Sequence, residues 1–355
     1  MSRPNTRRAA SMIYAAMSLL ITLCLTSCSQ QPANESQPRE HWRFAIEETS
    51  GSVQDAYAQK FKELVEERSN GEVAVTVYPY GTLGTSDQIT ELVDLGAVQF
   101  AMASPGHLGK LIPEVQVFLL HFVFSDNEEV NNTVLNNDPE LRAVFNELYA
   151  ARRLKLLSIY SEGWQVWTTN KPIRHPHDFQ GVKFRVMTSP LLLAAYNAYG
   201  ASATPLPYSE VYSAVQLNMI DGQENPVFAI EEMSFYEVTD CMIFPKHSPF
   251  ITTSVTNLDF FDSLPPGRQQ LVTEVVNELN DYILTVEQDY NRERLQRIRQ
   301  RKPDLQIIEE LTPEQRSAFR KASQPVQDQF TRATGPTGQL VLRQLKESVH
   351  EAQAE

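Results

Sequence analysis

Cysteine is nearly absent from this chain, and the few present exclude two kinds of chemistry. Of three cysteines in 355 residues, Cys24 lies in an apolar N-terminal run, Cys28 follows that run, and Cys241 stands alone. Neither a disulfide framework nor a cysteine-based metal site is open to such a chain. Positive charge is short as well: 31 Lys and Arg stand against 44 Asp and Glu, and the resulting net charge of −13 repels nucleic acid. His175-Pro176-His177 is a metal-like pair without a third ligand, so no metal is expected there. No nucleophile elbow or zinc spacing accompanies His107, His175 or His247, which disfavours an extracytoplasmic hydrolase. No cofactor is expected.

The one long apolar run covers residues 9–25, after a basic start at Arg3, Arg7 and Arg8. It is short for a membrane span of ~20 residues and reads as a targeting signal over residues 1–27. Leu25-Thr26-Ser27-Cys28 resembles a bacterial lipobox, which implies cleavage before Cys28 and its acylation, with residues 28–40 as a polar tether to a membrane surface. A plain secretory peptide and a single spanning helix are the alternatives. Cleavage takes away three arginines and no acid, leaving −16.

Beyond the tether the chain alternates between two periods. "WRFAIEE" has strand alternation at Trp42, Phe44 and Ile46; the next segment places Val53, Tyr57, Phe61, Leu64 and Val65 on one helical face, and "EVAVTVYP" alternates again. "TSDQITELVDLG" and "AVQFAMAS" continue as helix and strand. From Gly181 the design repeats: strand "GVKFRVM", a helix capped by Ser189-Pro190 and stopped at Gly200, a second capped helix from Ser209, then "MIDGQENP". These βαβ units predict parallel sheets in two α/β lobes. An amphipathic helix expected over residues 266–301 is roughly 50 Å long, enough to lie across both. The division is residues 41–162 with 251–285 for the first lobe and 163–250 with 286–355 for the second.

"GVKFRVM", "YGASATPLPYSEVYSAVQLNMIDGQENP" and "FYEV", taken together and in order, resemble the DctP-type solute receptors of tripartite ATP-independent periplasmic (TRAP) transporters. "HWRFAIEE", "GSVQDAYAQ", "YGTLGTSD" and "SPLLLAAYNAYGA" are similar to segments of the ectoine receptors in that family. The resemblance covers nearly all of the mature chain. It implies an α/β, two-lobed periplasmic binding protein with a ligand cleft between the lobes, which closes over a small carboxylate and hands it to membrane permease subunits. A receptor has no chemistry of its own. A subunit presenting ligand to a sensor kinase is a competing role.

Arg185, at the carboxyl end of its strand, sits where open α/β sheets bind ligands, and a guanidinium there grips a carboxylate with two hydrogen bonds. Pairing with a structural acid such as Glu210 is the alternative. Asp221 and Glu224 in "DGQENP" lack calcium-loop spacing, and no nucleophile is near. The resemblance makes Asn225 the ligand contact and leaves Asp221, Gln223 and Glu224 as structural. It also matches Glu48 to an acid that ectoine receptors set against a positively charged ring. Tyr208 and Phe228 are candidates to face a cation or ring, and Trp164 and Trp167 are ambiguous between site and core. Two departures bear on the substrate. Gln165 stands where dicarboxylate and sialic-acid receptors carry a second arginine, and His107 and Tyr208 stand where ectoine receptors place phenylalanine and tryptophan. A single carboxylate is therefore expected, with ectoine or hydroxyectoine favoured over sugar acids.

Overall fold

The structure, a computed structural model, describes residues 38–354; the expected signal, Cys28 and most of the tether lie outside that range. The chain begins with β1 (Glu40–Ala45), α1 (Val53–Arg68), β2 (Val73–Tyr78), α2 (Ser86–Asp94), β3 (Phe100–Ala103) and α3 (Pro105–Leu108). Two helices, α4 (Glu128–Asn137) and α5 (Pro139–Ala150), precede β4 (Leu154–Trp164). Next come β5 (Val166–Thr169), β6 (Lys183–Val186), α6 (Pro190–Ala198), β7 (Ser202–Pro205), α7 (Val211–Gln216), β8 (Gly222–Asn225), α8 (Val227–Glu232) and β9 (Cys241–Ile243). The last elements are β10 (Pro249–Asn257), α9 (Leu258–Ser263), α10 (Pro266–Arg301), β11 (Gln306–Ile308) and α11 (Pro313–Ala354).

The strands form two sheets, ordered β2-β1-β3-β10-β4 and β11-β9-β5-β8-β6-β7. Both are mixed rather than all parallel as expected. In the first, β1 runs parallel to β2 and β3, but β10 is antiparallel to β3 and β4. In the second, β6 is parallel to β7 and β8 while β5 is antiparallel to β8 and β9. The antiparallel strands belong to two of the three places where the chain passes between sheets, from β4 into β5 and from β9 into β10; the third passage, from β10 to β11, runs through α10. No βαβ pattern announces such a passage, because the strands either side of it belong to different sheets.

Local signals set several element ends. Ser189 accepts from the Leu192 amide at the start of α6, whose first residue is Pro190. The segment from Ser209 makes a single 3-10 turn, Tyr208–Glu210, before α7 begins. Helix α10 matches its expected limits. Leu271, Val272, Val275, Val276, Leu279 and Ile283 pack with Trp42, Phe44 and Phe61 under the first sheet, and Ile298 joins Val166 and Met242 under the second. The helix therefore bridges both sheets. Residues 313–354, labelled α11, are two helical stretches joined at Gly335, whose φ of 66° and ψ of −149° are not helical, and they pack against α4, α5 and α6. Among the described residues no helix is long and apolar enough to cross a membrane.

Candidate functional site

Between the two sheets lies a cavity of about 30 Å³. Its wall includes Glu47, Glu48, Gln54 and His107 from the first half of the chain, and Arg185, Met187, Tyr208, Asn225 and Phe250 from the second. Of the expected site residues, Glu48, His107, Arg185, Tyr208 and Asn225 meet here. Glu48 lies past the end of β1: the strand stops at Ala45, and Glu48 is in the loop leading to α1. His107 likewise sits beyond β3, on the one-turn helix α3.

Arg185 is 2% exposed, and its Nε donates to the Leu206 carbonyl at 3.0 Å. Among the described residues no carboxylate forms an ion pair with it, and Glu210 is exposed. Burial lowers the guanidinium to about 10, so it stays charged at neutral pH. A buried arginine fork without an acid is costly unless an anion arrives. Asn225 is turned by a hydrogen bond from its Nδ2 to Gln223 Oε1. Gln223 in turn donates to Thr168 Oγ1 at 2.9 Å, and Asp221 accepts from the Lys183 amide at 2.8 Å. Gln223 and Asp221 thus hold β8 in place.

The opposite wall is acidic. Burial, and then the adjacent Glu162 carboxylate, push Glu48 well above the usual carboxylate range, and burial pushes Glu162 up to about 7. Gln54 donates to Glu162 Oε1 at 3.0 Å, and its amide reaches Glu48 Oε2 at 3.3 Å. Glu47 accepts from the Ser104 amide at 2.9 Å and is also raised by burial. Glu232, raised to about 8 by burial and by Glu48, accepts from Thr49 Oγ1. Buried carboxylates of this kind keep a proton until a cation replaces it.

His107 Nδ1 lies 3.0 Å from Asp87 Oδ1, and Asp87 also takes Lys110 Nζ at 2.8 Å. Burial opposes ionisation of Asp87, but these two partners hold its carboxyl well below the usual range. Thr188, just past β6, reaches Asp87 Oδ2 at 3.2 Å and His107 Nδ1 at 3.3 Å, a contact made from one sheet's elements to the other's. Tyr208 meets Tyr80 edge to face at 5.7 Å.

Three expected aromatic candidates and Gln165 lie elsewhere. Phe228, on α8, is fully enclosed in the core beneath the first sheet. Trp167 is buried too, its Nε1 donating to Tyr196 at 2.7 Å, and Trp164 ends β4 outside the cavity wall. Gln165 lies in the β4–β5 passage and lines a neighbouring, smaller cavity. His175 and His177 stack on each other at 5.2 Å at the start of a 3-10 turn, His177 exposed and His175 half-buried. Conversely, sequence reasoning missed Phe250, Met187 and Glu47. Glu47 precedes Glu48 in a loop where strand alternation no longer says which acid turns inward, and Phe250 reaches the wall only because β10 returns from the other sheet.

An unpaired arginine facing a layer of buried carboxylates, between two α/β sheets, is a binding geometry for a small solute. Residues 44–333 match DctP, the bacterial extracellular solute-binding protein family 7. The chain belongs to that family. It is an extracytoplasmic, periplasmic solute receptor of the TRAP type and not an enzyme. The DctP-family chain is 40% identical to the ectoine/5-hydroxyectoine-binding periplasmic protein of Ruegeria pomeroyi, over 88% of this chain and 92% of the relative. Among solved structures it is similar to the periplasmic ectoine-binding protein from the TeaABC TRAP transporter of Halomonas elongata. There the TM-score is 0.85 at 38% identity, over 88% of this chain and 99% of the other. An apo open TRAP solute-binding protein from Marinobacter aquaeolei gives 0.81 at 42% identity, over 86% and 99%.

Proposed function

We propose that this receptor captures a compact zwitterion with one carboxylate, ectoine and hydroxyectoine ranking first, and delivers it to TRAP permease subunits. One observation carries the reading: Arg185, without an acid partner, shares a cavity with the buried acids Glu47 and Glu48. The guanidinium suits the carboxylate and the acids suit a delocalised cation, with Tyr208 and Phe250 as ring faces and Asn225 as a hydrogen-bonding side chain. The ligand specificities of the two ectoine-binding relatives support the same choice. A hydroxy or sugar acid is the second reading, favoured by His107, whose imidazole adds a polar group to the wall. Each sheet with its helices is a lobe, divided near residues 163, 250 and 285, and the solute is clamped between them. Acylation at Cys28 anchors the receptor to the membrane; an unmodified N-terminus at any other residue, read by mass spectrometry of the membrane fraction, would discard the anchor.

The deciding experiment is a thermal-shift screen of small carboxylates and zwitterions. A solute at 100 times its dissociation constant adds about 2.7 kcal/mol to folding stability. Ectoine or hydroxyectoine is expected to stabilise most. Greater stabilisation by succinate or fumarate than by every monocarboxylate and zwitterion would overturn the reading.

A further inference from the structure

A second cavity, of about 10 Å³, lies beside the first. Met187 and Phe250 belong to both walls, and the smaller cavity also takes His121, Gln165, Glu224 and Ser248. Its volume suits about one water-sized particle, so no organic solute fits. His121, Gln165 and Glu224 are 3%, 5% and 4% exposed, and each carries a buried atom without a hydrogen-bond partner: Nε2, Oε1 and Oε1. His247, 1% exposed, has an unpartnered Nδ1. One donor atom each from His121, Glu224 and His247 lies within 4.8 Å of the other two.

We propose that His121, Glu224 and His247 bind a divalent transition cation of the zinc class, with the Gln165 side-chain carbonyl as fourth donor. Two imidazole nitrogens, a carboxylate oxygen and a carbonyl oxygen make a four-coordinate set that such ions accept. His247 Nε2 lies 2.9 Å from Glu224 Oε2 and 3.2 Å from Tyr196 Oη, so the bound cation takes over a contact that these side chains now make with one another. A supporting layer is present. His121 Nδ1 is held by Tyr199 Oη at 2.6 Å, and Tyr196, itself anchored by Trp167 Nε1, donates to Glu224. Position gives the site its consequence. Gln165 lies in the β4–β5 passage and His247 in the β9–β10 passage, and the Gln165 amide bonds the Ser248 carbonyl at 3.0 Å. A cation here ties together two of the three connections between sheets, the third being α10.

The test titrates Zn²⁺ into the purified, chelator-stripped chain by calorimetry, with no organic solute present, so its failure leaves the solute reading untouched. One Zn²⁺ per chain is expected. His121→Asn and Glu224→Gln should each weaken binding at least about tenfold, whereas His177→Asn in the His175 and His177 pair should change nothing. X-ray absorption of the zinc-loaded wild-type chain, which does not depend on any variant folding, should show two imidazoles bound to the metal. No saturable binding, binding removed by His177→Asn, binding undiminished in both cluster variants, or a metal surrounded by oxygens alone would each overturn the site.

Discussion

Arg185 is buried with its charge intact and without an acid, so its free energy depends on what the cavity holds. Arg185→Ala should cost roughly 2–5 kcal/mol of solute binding, or about thirtyfold to several thousandfold, by calorimetric titration. Arg185→Lys should recover part, because an ammonium cannot reproduce the two-pronged grip. Glu48→Gln should weaken a zwitterion far more than a plain acid, since only the former offers a cation to that wall. The acids also make stability depend on pH. Glu162 has its folded pKa raised to about 7, so its contribution is complete below the ordinary carboxylate range and is lost as pH rises through about 7. Thermal melting of wild type and Glu162→Gln from pH 4.5 to 8 should show the wild type losing stability relative to the variant up to about 7, with a constant difference above. A constant difference throughout would refute the assignment.

At the scale of elements, the passages between sheets are the exacting parts. Gly163, near the end of β4, has φ of +111°, and a Cβ there would lie 2.5 Å from Asn291 Nδ2 and 2.9 Å from Glu287 Oε1 on α10. Asn291 already donates to the Glu162 carbonyl at 2.9 Å and accepts from the Phe228 amide at 3.1 Å, so it has little freedom to retreat. Gly163→Ala should destabilise the chain by about 1–3 kcal/mol from backbone strain alone, read as a lowered urea midpoint with unchanged slope. Wild-type stability would show the passage to be more yielding than its contacts indicate.

For the whole molecule, a cavity of about 30 Å³ holds roughly two waters, so a solute the size of a small amino acid is admitted only when the sheets part. Side-chain contacts join the two sides of the cavity: Thr188 to Asp87 and His107, Tyr80 to Ser209 at 3.4 Å, and Thr49 to Glu232. Small-angle scattering should show a smaller radius of gyration with solute than without. Thr188→Val removes one hydrogen bond across the cavity, worth about 0.5–1.5 kcal/mol, and should weaken binding by up to roughly tenfold, chiefly through faster release. Equal dimensions with and without solute would rule out a clamp.

The two periods of the chain and its caps were enough to place β6, α6 and α10 and to single out Arg185, because those signals are local and survive in any surroundings; Asn225, which shares its cavity, was singled out by the family resemblance. Composition likewise excluded a disulfide framework. The mixed sheets, the core position of Phe228 and the presence of Glu47, Met187 and Phe250 on the wall were decided only in three dimensions. Each depends on strands that leave one sheet and re-enter the other, and no residue's neighbours in sequence carry that information. The same holds for His121, Glu224 and His247, which are distant in sequence and become a cluster only where the passages between sheets bring them together.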